Sequence, residues 1–275
     1  MFSRAPLRAA SFCFCYVGRD LGRALHAQHS REAKCRGADR GRPYNFMPHA
    51  RGKSRSLCRC GRVRRLSVIV RSRMHAAMTF DPQPILLEGE HVRLEPLTES
   101  HRAALHAAAR GQDEVFRWFL TDSLAKPAEM DAWIDDALRA QASGVEVVWA
   151  TVRRADNAVV GSTRFLDVRR PHRTLEIGNT WLARAAQRTA INTEAKYLQL
   201  RHAFEQLGAV RVQLKTDERN EPSRRAIARL GCTLEGILRN YQTRFDGYVR
   251  NTAMFSLTAA EWPATRSRLE VMLAR

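Results

Sequence analysis

The stretch Gln187-Arg188-Thr189-Ala190-Ile191-Asn192 has the composition and the position of an anion site. It joins a strand-like run, TLEIGNTWLA, to a helix-like run, TEAKYLQLRHAFEQLG. A helix N-terminus leaves its first backbone N–H groups unpaired and carries the positive end of the peptide dipoles. Phosphate binds at such an end without needing basic side chains. A helix beginning near Asn192 offers the N–H groups of Ala190, Ile191, Asn192 and Thr193 as donors, with Gln187 and Arg188 at the mouth of the cradle. A junction of this kind is also simply a helix start, so the stretch alone leaves both readings open. Cys232 is a second candidate, a thiol able to accept an acyl group in a two-step transfer. It follows Gly231 and opens a strand-like run, which equally suits a core cysteine.

Metal chemistry finds less support. His91, His101, His106, His172 and His202 show no ligand spacing, and no metal is expected. Two Cys-x-Cys pairs, Cys13 with Cys15 and Cys58 with Cys60, stand among His26, His29 and His49, but structural zinc sites use two to four intervening residues.

Charge divides the chain of 275 residues. Residues 1–77 hold 18 Lys and Arg against Asp20, Glu32 and Asp39, a net +15, whereas residues 78–275 hold 28 against 25, a net +3. The basicity that would suit nucleic acid therefore lies in the first segment. That segment has no helical or strand period and no apolar run long enough for a signal-peptide core or a membrane span, so it is expected to be disordered. Its Arg-rich, acid-poor composition is that of an organelle transit peptide. It is also that of a start assigned too far upstream of Met78, since Arg outnumbers Lys 41 to 5. Nothing spans or anchors to a membrane, and a cytoplasmic protein is expected.

The elements that must position the candidate residues begin at Met78. HVRLEPLT alternates as a half-buried strand, with Val92, Leu94 and Pro96 inward. Residues 99–110 and 128–142 are predicted helices, the second with Ala132, Trp133, Ala137 and Leu138 as its apolar stripe. Three β-rich runs follow, VEVVWATVRR, AVVGSTRFLDVRR and TLEIGNTWLA, divided by Asp156-Asn157 and Pro171-His172, which predicts an antiparallel meander. Tyr197, Leu200, Phe204 and Leu207 recur at helical spacing up to Gly208, a C-cap. VRVQLKTDE reads as a strand, and Asn220 as the N-cap of a helix that Pro222 enters and Gly231 ends. Two last strands, over residues 233–245 and 250–257, flank the Asp246-Gly247 hairpin turn. The order β, α, α, β, β, β, α, β, α, β, β requires one parallel crossover, over residues 174–218, in a mostly antiparallel sheet.

In this order the residues resemble the GNAT superfamily of acetyl-CoA-dependent N-acetyltransferases, and within it the RimJ/RimL branch, the ribosomal-protein alanine acetyltransferase type. The carriers are EIGNTWL from Glu176, AQRTAINTEAK from Ala186, RVQLKTDERNEPSRRAIARLGCTLEG from Arg211, and LRNYQTRFDGYVRNTAMFSLTAAEW from Leu238. The resemblance covers nearly all of residues 85–262 and none of the basic segment.

It implies an α/β GNAT-type fold over residues 78–275, a mixed and mostly antiparallel twisted sheet flanked by helices. It implies acetyl-CoA as donor, no metal, and an amine acceptor, either a protein N-terminus or a small molecule. The family's pyrophosphate loop, Gln/Arg-x-x-Gly-x-Gly/Ala, falls on Gln187, Ala190 and Asn192, so two glycine positions depart. Asn192 is the residue that tolerates left-handed backbone. With Arg188, Thr189, Ile191 and Thr193 these residues are the expected phosphate contacts. Residues 179–182 should splay from residues 211–215, leaving main-chain groups of Thr180, Trp181 and Leu182 to pair with pantetheine. Asn220 and Ser223 match the family's second motif, asparagine on the pantetheine arm and serine near the thiol, or they only cap and open their helix.

By the same resemblance Glu176 is the candidate general base, or a solvated strand residue, and Tyr241 the candidate acid, or a half-buried aromatic. Transfer by direct attack in a ternary complex is expected, with proximity supplying much of the rate. The acceptor cleft falls to residues 99–142, where Trp118, Phe119 and Trp133 line it or pack. Two rivals come from other classes. One is a CoA-sensing module without catalysis, motivated by the departures at Ala190 and Asn192. The other is a ribosome- or nucleic-acid-associated protein anchored by the basic segment. A late strand edge is compatible with either monomer or homodimer.

Overall fold

The computed structural model describes residues 80–275, and the expectations for residues 1–77 lie outside the described residues. One eight-stranded sheet carries everything else, ordered β1-β2-β3-β4-β5-β6-β8-β7. Its strands are β1 (Leu87–Glu88), β2 (Val92–Pro96), β3 (Val147–Arg153), β4 (Ala158–Arg169), β5 (Thr174–Leu182), β6 (Arg211–Asp217), β7 (Thr233–Thr243) and β8 (Val249–Thr258). Every neighbouring pair is antiparallel except β5 with β6. This is the GNAT-type mixed sheet with the single parallel crossover that the element order required.

Helices cover both faces. On one lie α1 (Arg102–Ala109), the short α2 (Asp113–Phe116) and α3 (Pro127–Ala142), over a core that includes Leu105, Phe116, Met130, Ile134, Val148 and Trp181. On the other lie α4 (Ala190–Arg201), which continues as a π-helical turn over His202–Gln206, α5 (Glu221–Arg229) and α6 (Trp262–Leu273). Leu198, Phe204, Val212, Leu214, Phe255 and Trp262 pack in that second core. Among the described residues no helix is long and apolar enough to cross a membrane.

Two expectations are corrected. The buried stripe of α3 is Met130, Trp133, Ile134 and Ala137, with Ala132 exposed and Leu138 half-buried. Helix α6 was not anticipated, because its buried residues are only Trp262, Thr265 and Leu269 while Val271 faces solvent. So sparse a stripe falls below the periodic signal of an amphipathic helix.

The strand that matters most is β5. Ser162 pairs with Trp181 and Arg164 with Gly178, so Thr163 of β4 faces two residues, Asn179 and Thr180. This is a β-bulge, and Asn179 takes its left-handed backbone with φ of 47°. Beneath the bulge α4 delivers a fully buried ammonium. Lys196 Nζ donates to Thr163 Oγ1 and Thr180 Oγ1, both at 2.7 Å, and to Gln199 Oε1 at 3.0 Å. None of these acceptors is charged. Burial drives the Lys196 pKa down to about 7.

Glu194, also on α4, is buried with better compensation. Its carboxylate accepts the backbone N–H groups of Glu90, His91 and Val92 at 2.7, 2.6 and 2.8 Å, which ties the β1–β2 turn to the helix.

Gly161 sets how closely β4 approaches β5. A Cβ there would lie 2.0 Å from the Trp181 carbonyl oxygen, a clash that only backbone movement relieves. We expect Gly161→Ala to destabilise the protein by about 1–3 kcal/mol in urea denaturation; an unchanged midpoint would mean that β5 is free to shift.

The Lys196 ammonium generates a second expectation. Unfolded, the group holds its proton up to about 10.5; folded, it releases it near 7. Between these values the unfolded chain binds more protons, so this group's contribution to stability rises with pH across that window. Below it the burial penalty is complete. The denaturation midpoint of Lys196→Met should exceed that of the wild type most at pH 6–7, and the excess should shrink toward pH 10.

Candidate functional site

The parallel pairing of β5 and β6 ends early. Thr174, Leu175 and Glu176 pair with Arg211, Val212 and Gln213, and no later pair links the strands, although β5 runs on to Leu182 and β6 to Asp217. From Gly178 to Leu182 β5 keeps β4 on one edge and, among the described residues, has no strand on the other. An unpaired row of main-chain donors and acceptors is a template for an extended ligand. The splay expected between residues 179–182 and 211–215 is therefore present.

Glu176 stands at the fork, 2 % exposed. Its Oε2 accepts Lys215 Nζ at 2.8 Å and Gln213 Nε2 at 3.0 Å. Its Oε1 takes no hydrogen bond from the described residues and lies toward Gly178, 3.0 Å from where a Cβ would sit. The carboxylate is thus fixed through one oxygen and open at the other, which corrects the picture of a solvated strand residue.

Tyr241 reaches the same place from two strands away. Leu238 pairs with Thr252 and Gln242 with Arg250, so the residues between them bulge from the ladder, with Asn240 left-handed at φ of 51°. Lys215 Nζ lies 5.7 Å from the centre of the Tyr241 ring, a cation–π approach. The phenol is 44 % exposed and its hydroxyl makes no hydrogen bond among the described residues. Glu176 and Tyr241, far apart in sequence, meet around one ammonium.

Ser223 does not join them through any contact. Its N–H donates to Asn220 Oδ1 at 3.2 Å, the N-cap bond of α5, and its hydroxyl is unengaged among the described residues. Just before this cap, the Arg219 guanidinium lies 3.9 Å from the Tyr248 ring centre and 5.1 Å from that of Trp118. Asp217 holds it with bonds of 2.9 Å; burial alone would raise the Asp217 carboxyl, but these bonds keep it below its ordinary pKa. Of the three aromatics proposed for the cleft, Trp118 thus lies beside Arg219, between β6 and α5, while Phe119 and Trp133 pack into the α1–α3 core.

The junction before α4 departs from expectation in three ways. The helix starts at Ala190 with Thr189 as N-cap, whose Oγ1 accepts Ile191 N at 3.3 Å. The N–H groups without a partner in the helical ladder therefore move back to residues 189–192, with that of Ile191 taken by the cap, and Thr193 N–H falls inside the ladder. The left-handed residue is Arg188, φ 60°, not Asn192, which sits in helical backbone. The two glycine departures, Ala190 and Asn192, thus occupy positions that need no glycine. Third, Gln187 folds back to donate to the Leu182 carbonyl at 2.9 Å instead of guarding the mouth. Arg188 is exposed and free of ion pairs among the described residues.

An open cleft of about 520 Å³ lies against this helix end, lined by Thr189, Ala190 and Ile191 with His91, Arg153 and Arg154 opposite. The helix dipole and the two guanidinium groups there are positive, but Glu90 also lines the cleft, and Arg153 and Arg154 are paired with Asp156 and Glu88. Trp181 and Leu182 are buried, and the Thr180 hydroxyl is bound to Lys196, so what these three residues offer the open edge is main chain, less the Leu182 carbonyl that Gln187 takes.

Sequence reasoning missed Lys215, Gln213, Arg219 and Lys196. The polar alternation Arg211, Gln213, Lys215 marked one face of β6, but the register that sets Lys215 beside Glu176 was not readable. Cys232 is buried, and burial pushes its thiol up to about 12. It remains a thiol at neutral pH and is a poor nucleophile. Among the described residues no group of three or more His, Cys, Asp or Glu is placed to hold a metal ion.

Comparison with known proteins agrees with the geometry. Residues 91–233 match the Acetyltransferase (GNAT) domain family. An uncharacterized N-acetyltransferase of Bacillus subtilis, YoaA, is 25 % identical over 174 residues, 62 % of this chain and 96 % of YoaA. The crystal structure of a GCN5-related N-acetyltransferase from Brucella melitensis superposes with a TM-score of 0.66 at 31 % identity, over 70 % of this chain and 87 % of that one. Mycobacterium smegmatis RimJ, solved with CoA-disulfide, shares the fold at 22 % identity and a TM-score of 0.60, over 69 % and 95 % of the two chains. The forked sheet and the helix end facing it thus belong to a recognised scaffold, and the chain is a member of the GNAT acetyltransferase family.

Proposed function

We propose that the protein moves an acetyl group from acetyl-CoA to a primary amine, by direct attack with both substrates bound, in the manner of the RimJ/RimL branch. The observation that carries the reading is the fork: a main-chain edge of β5 without a partner that leads to the N-terminus of α4. The edge suits the amide groups of a pantetheine arm, paired as an added strand. The N–H groups of residues 189–192 suit its diphosphate. Asn220 and Ser223 border the other side of the fork, at the start of α5.

Bound acetyl-CoA supplies a thioester, and this chain's residues handle protons and orientation around it. An acceptor ammonium must lose a proton before it attacks. Glu176 Oε1 is the oxygen placed to take it, directly or through water, while Lys215 and Gln213 hold the carboxylate still through Oε2. The Tyr241 hydroxyl is the donor for the sulfur as the C–S bond breaks. Lys215 pairs with Glu176 and holds the phenol ring near it. A protein N-terminus and a small amine both satisfy this chemistry. The CoA-sensing alternative shares this fork; Ala190 and Asn192 are helical and need no left-handed backbone, and thioester turnover separates the two readings.

Calorimetric titration of acetyl-CoA should show binding in the wild type that collapses in Asn192→Asp. A carboxylate in the first turn favours the helix dipole, so this variant should fold at least as stably while repelling the diphosphate. Full binding by the variant would move the diphosphate away from α4. Tyr241→Phe removes a hydroxyl with no bonding partner and should leave stability and acetyl-CoA affinity unchanged while lowering kcat by about 10²-fold or more. Glu176→Gln should lower kcat by a similar factor while acetyl-CoA affinity is unchanged; an unaltered kcat would remove Glu176 from the base role.

A further inference from the structure

The bulge in β5 sits where the strand leaves β6, and bulges re-aim a strand and end its pairing. The residues facing each other across it are Thr163 on one side and Asn179 with Thr180 on the other. Lys196 Nζ bonds to both threonine hydroxyls, and those hydroxyls lie 2.8 Å apart. An ammonium has three N–H donors, and the third goes to Gln199 on the next turn of α4. The number of donors matches the number of acceptors, and one acceptor comes from each of β4, β5 and α4.

Stability does not account for this arrangement. An ammonium taken out of water with no carboxylate beside it is penalised, and an apolar side chain of similar volume in its place is often neutral or stabilising. What Lys196 adds is direction: three bonds that hold helix, β4 and β5 in one register. That hold falls on the segment that has lost its other neighbour, since residues 178–182 have β4 on one edge only. The Thr180 hydroxyl is drawn toward α4, which sets the twist of the main chain on either side of it.

We propose that Lys196 is a positioning residue, which pins the β4–β5 bulge and so holds the free main-chain edge around Asn179 and Trp181 in the geometry that accepts the acyl donor. The inference rests on the donor-binding reading of the fork. Lys196 acts through Thr180 and touches neither donor nor acceptor.

The test uses Lys196→Met, Thr180→Val and Thr180→Ser, each read in three ways: urea midpoint, calorimetric affinity for acetyl-CoA, and amide hydrogen exchange over residues 179–182. Lys196→Met and Thr180→Val should each weaken acetyl-CoA binding by about tenfold, the equivalent of one misplaced hydrogen bond. Exchange should quicken at residues 179–182 and stay unchanged in the rest of the sheet. The midpoint of Lys196→Met should not fall. Thr180→Ser keeps the hydroxyl and should behave as wild type, and the double variant Lys196→Met/Thr180→Val should bind no more weakly than either single one. Unchanged affinity and exchange in Lys196→Met would overturn the proposal. So would a lowered midpoint with exchange quickened throughout the domain, because that outcome makes Lys196 a core residue and no more. If wild-type protein fails to bind acetyl-CoA while the local exchange effect is present, the pin stands and the donor assignment falls.

Discussion

A strand in a sheet must satisfy main-chain groups on two edges, and β5 does so only through Glu176. That constraint organises the site. Up to Glu176 the strand is clamped between β4 and β6; beyond it, water or a ligand must complete one edge. The α4 helix follows the open end of this strand, with Thr189 as its N-cap. Strand edge and helix end are both defined by backbone, so the scaffold offers a continuous run of main-chain donors that no single side chain specifies. The fork also explains where charge is tolerated. Glu176 is almost fully buried yet paired with Lys215, and this pair closes the base of the opening just where the ladder stops.

Buried charges around the fork fall into two kinds. Glu194 and Glu176 have donors beside them, three backbone N–H groups shared over both oxygens in one case, and an ammonium with an amide on Oε2 alone in the other. Such groups are compensated, and removing a partner is what would destabilise. Lys196 has acceptors but no opposite charge, which is why burial moves its proton affinity so far. Compensation at Glu194 fixes the sheet's first turn to the helix. Its absence at Lys196 marks a place where directional bonding has been kept at the expense of stability.

Much of this was legible in the order of residues because backbone signals are local. Asn220 before Pro222, Asp246-Gly247 between two runs, and Pro171-His172 after a strand each state their geometry within a few residues, and the caps and turns stand where those signals lie. The resemblance carried by EIGNTWL and NEPSRRAIARLG extended that reading to the fork. What stayed hidden depends on register. Lys215 is one polar residue in an alternating strand until β5 is laid beside β6, and Lys196 reads as a surface lysine until α4 is seen to be buried nearly all round. The start of α4 was misjudged by two residues for a related reason. Thr189 was an available cap, but the glycine positions of the family loop drew attention to Ala190 and Asn192 as loop residues, when both are helical.

The far edge of the sheet shows how a second constraint serves the same site. β7 is exposed along nearly its whole length and pairs only with β8. A long open edge with Leu234, Ile237, Leu238 and Tyr241 accessible invites pairing with other chains unless something breaks its regularity. Two interruptions do so, one at Gly236 with φ of 154° and one around Asn240 with φ of 51°. The second is the distortion that allows Tyr241 to approach Lys215 on β6, with β8 lying between them in the sheet. A regular β7 would keep Tyr241 in step with its own partner on β8. The irregularity that disrupts an open edge and the reach that brings a phenol to Glu176's ion pair are therefore one structural feature.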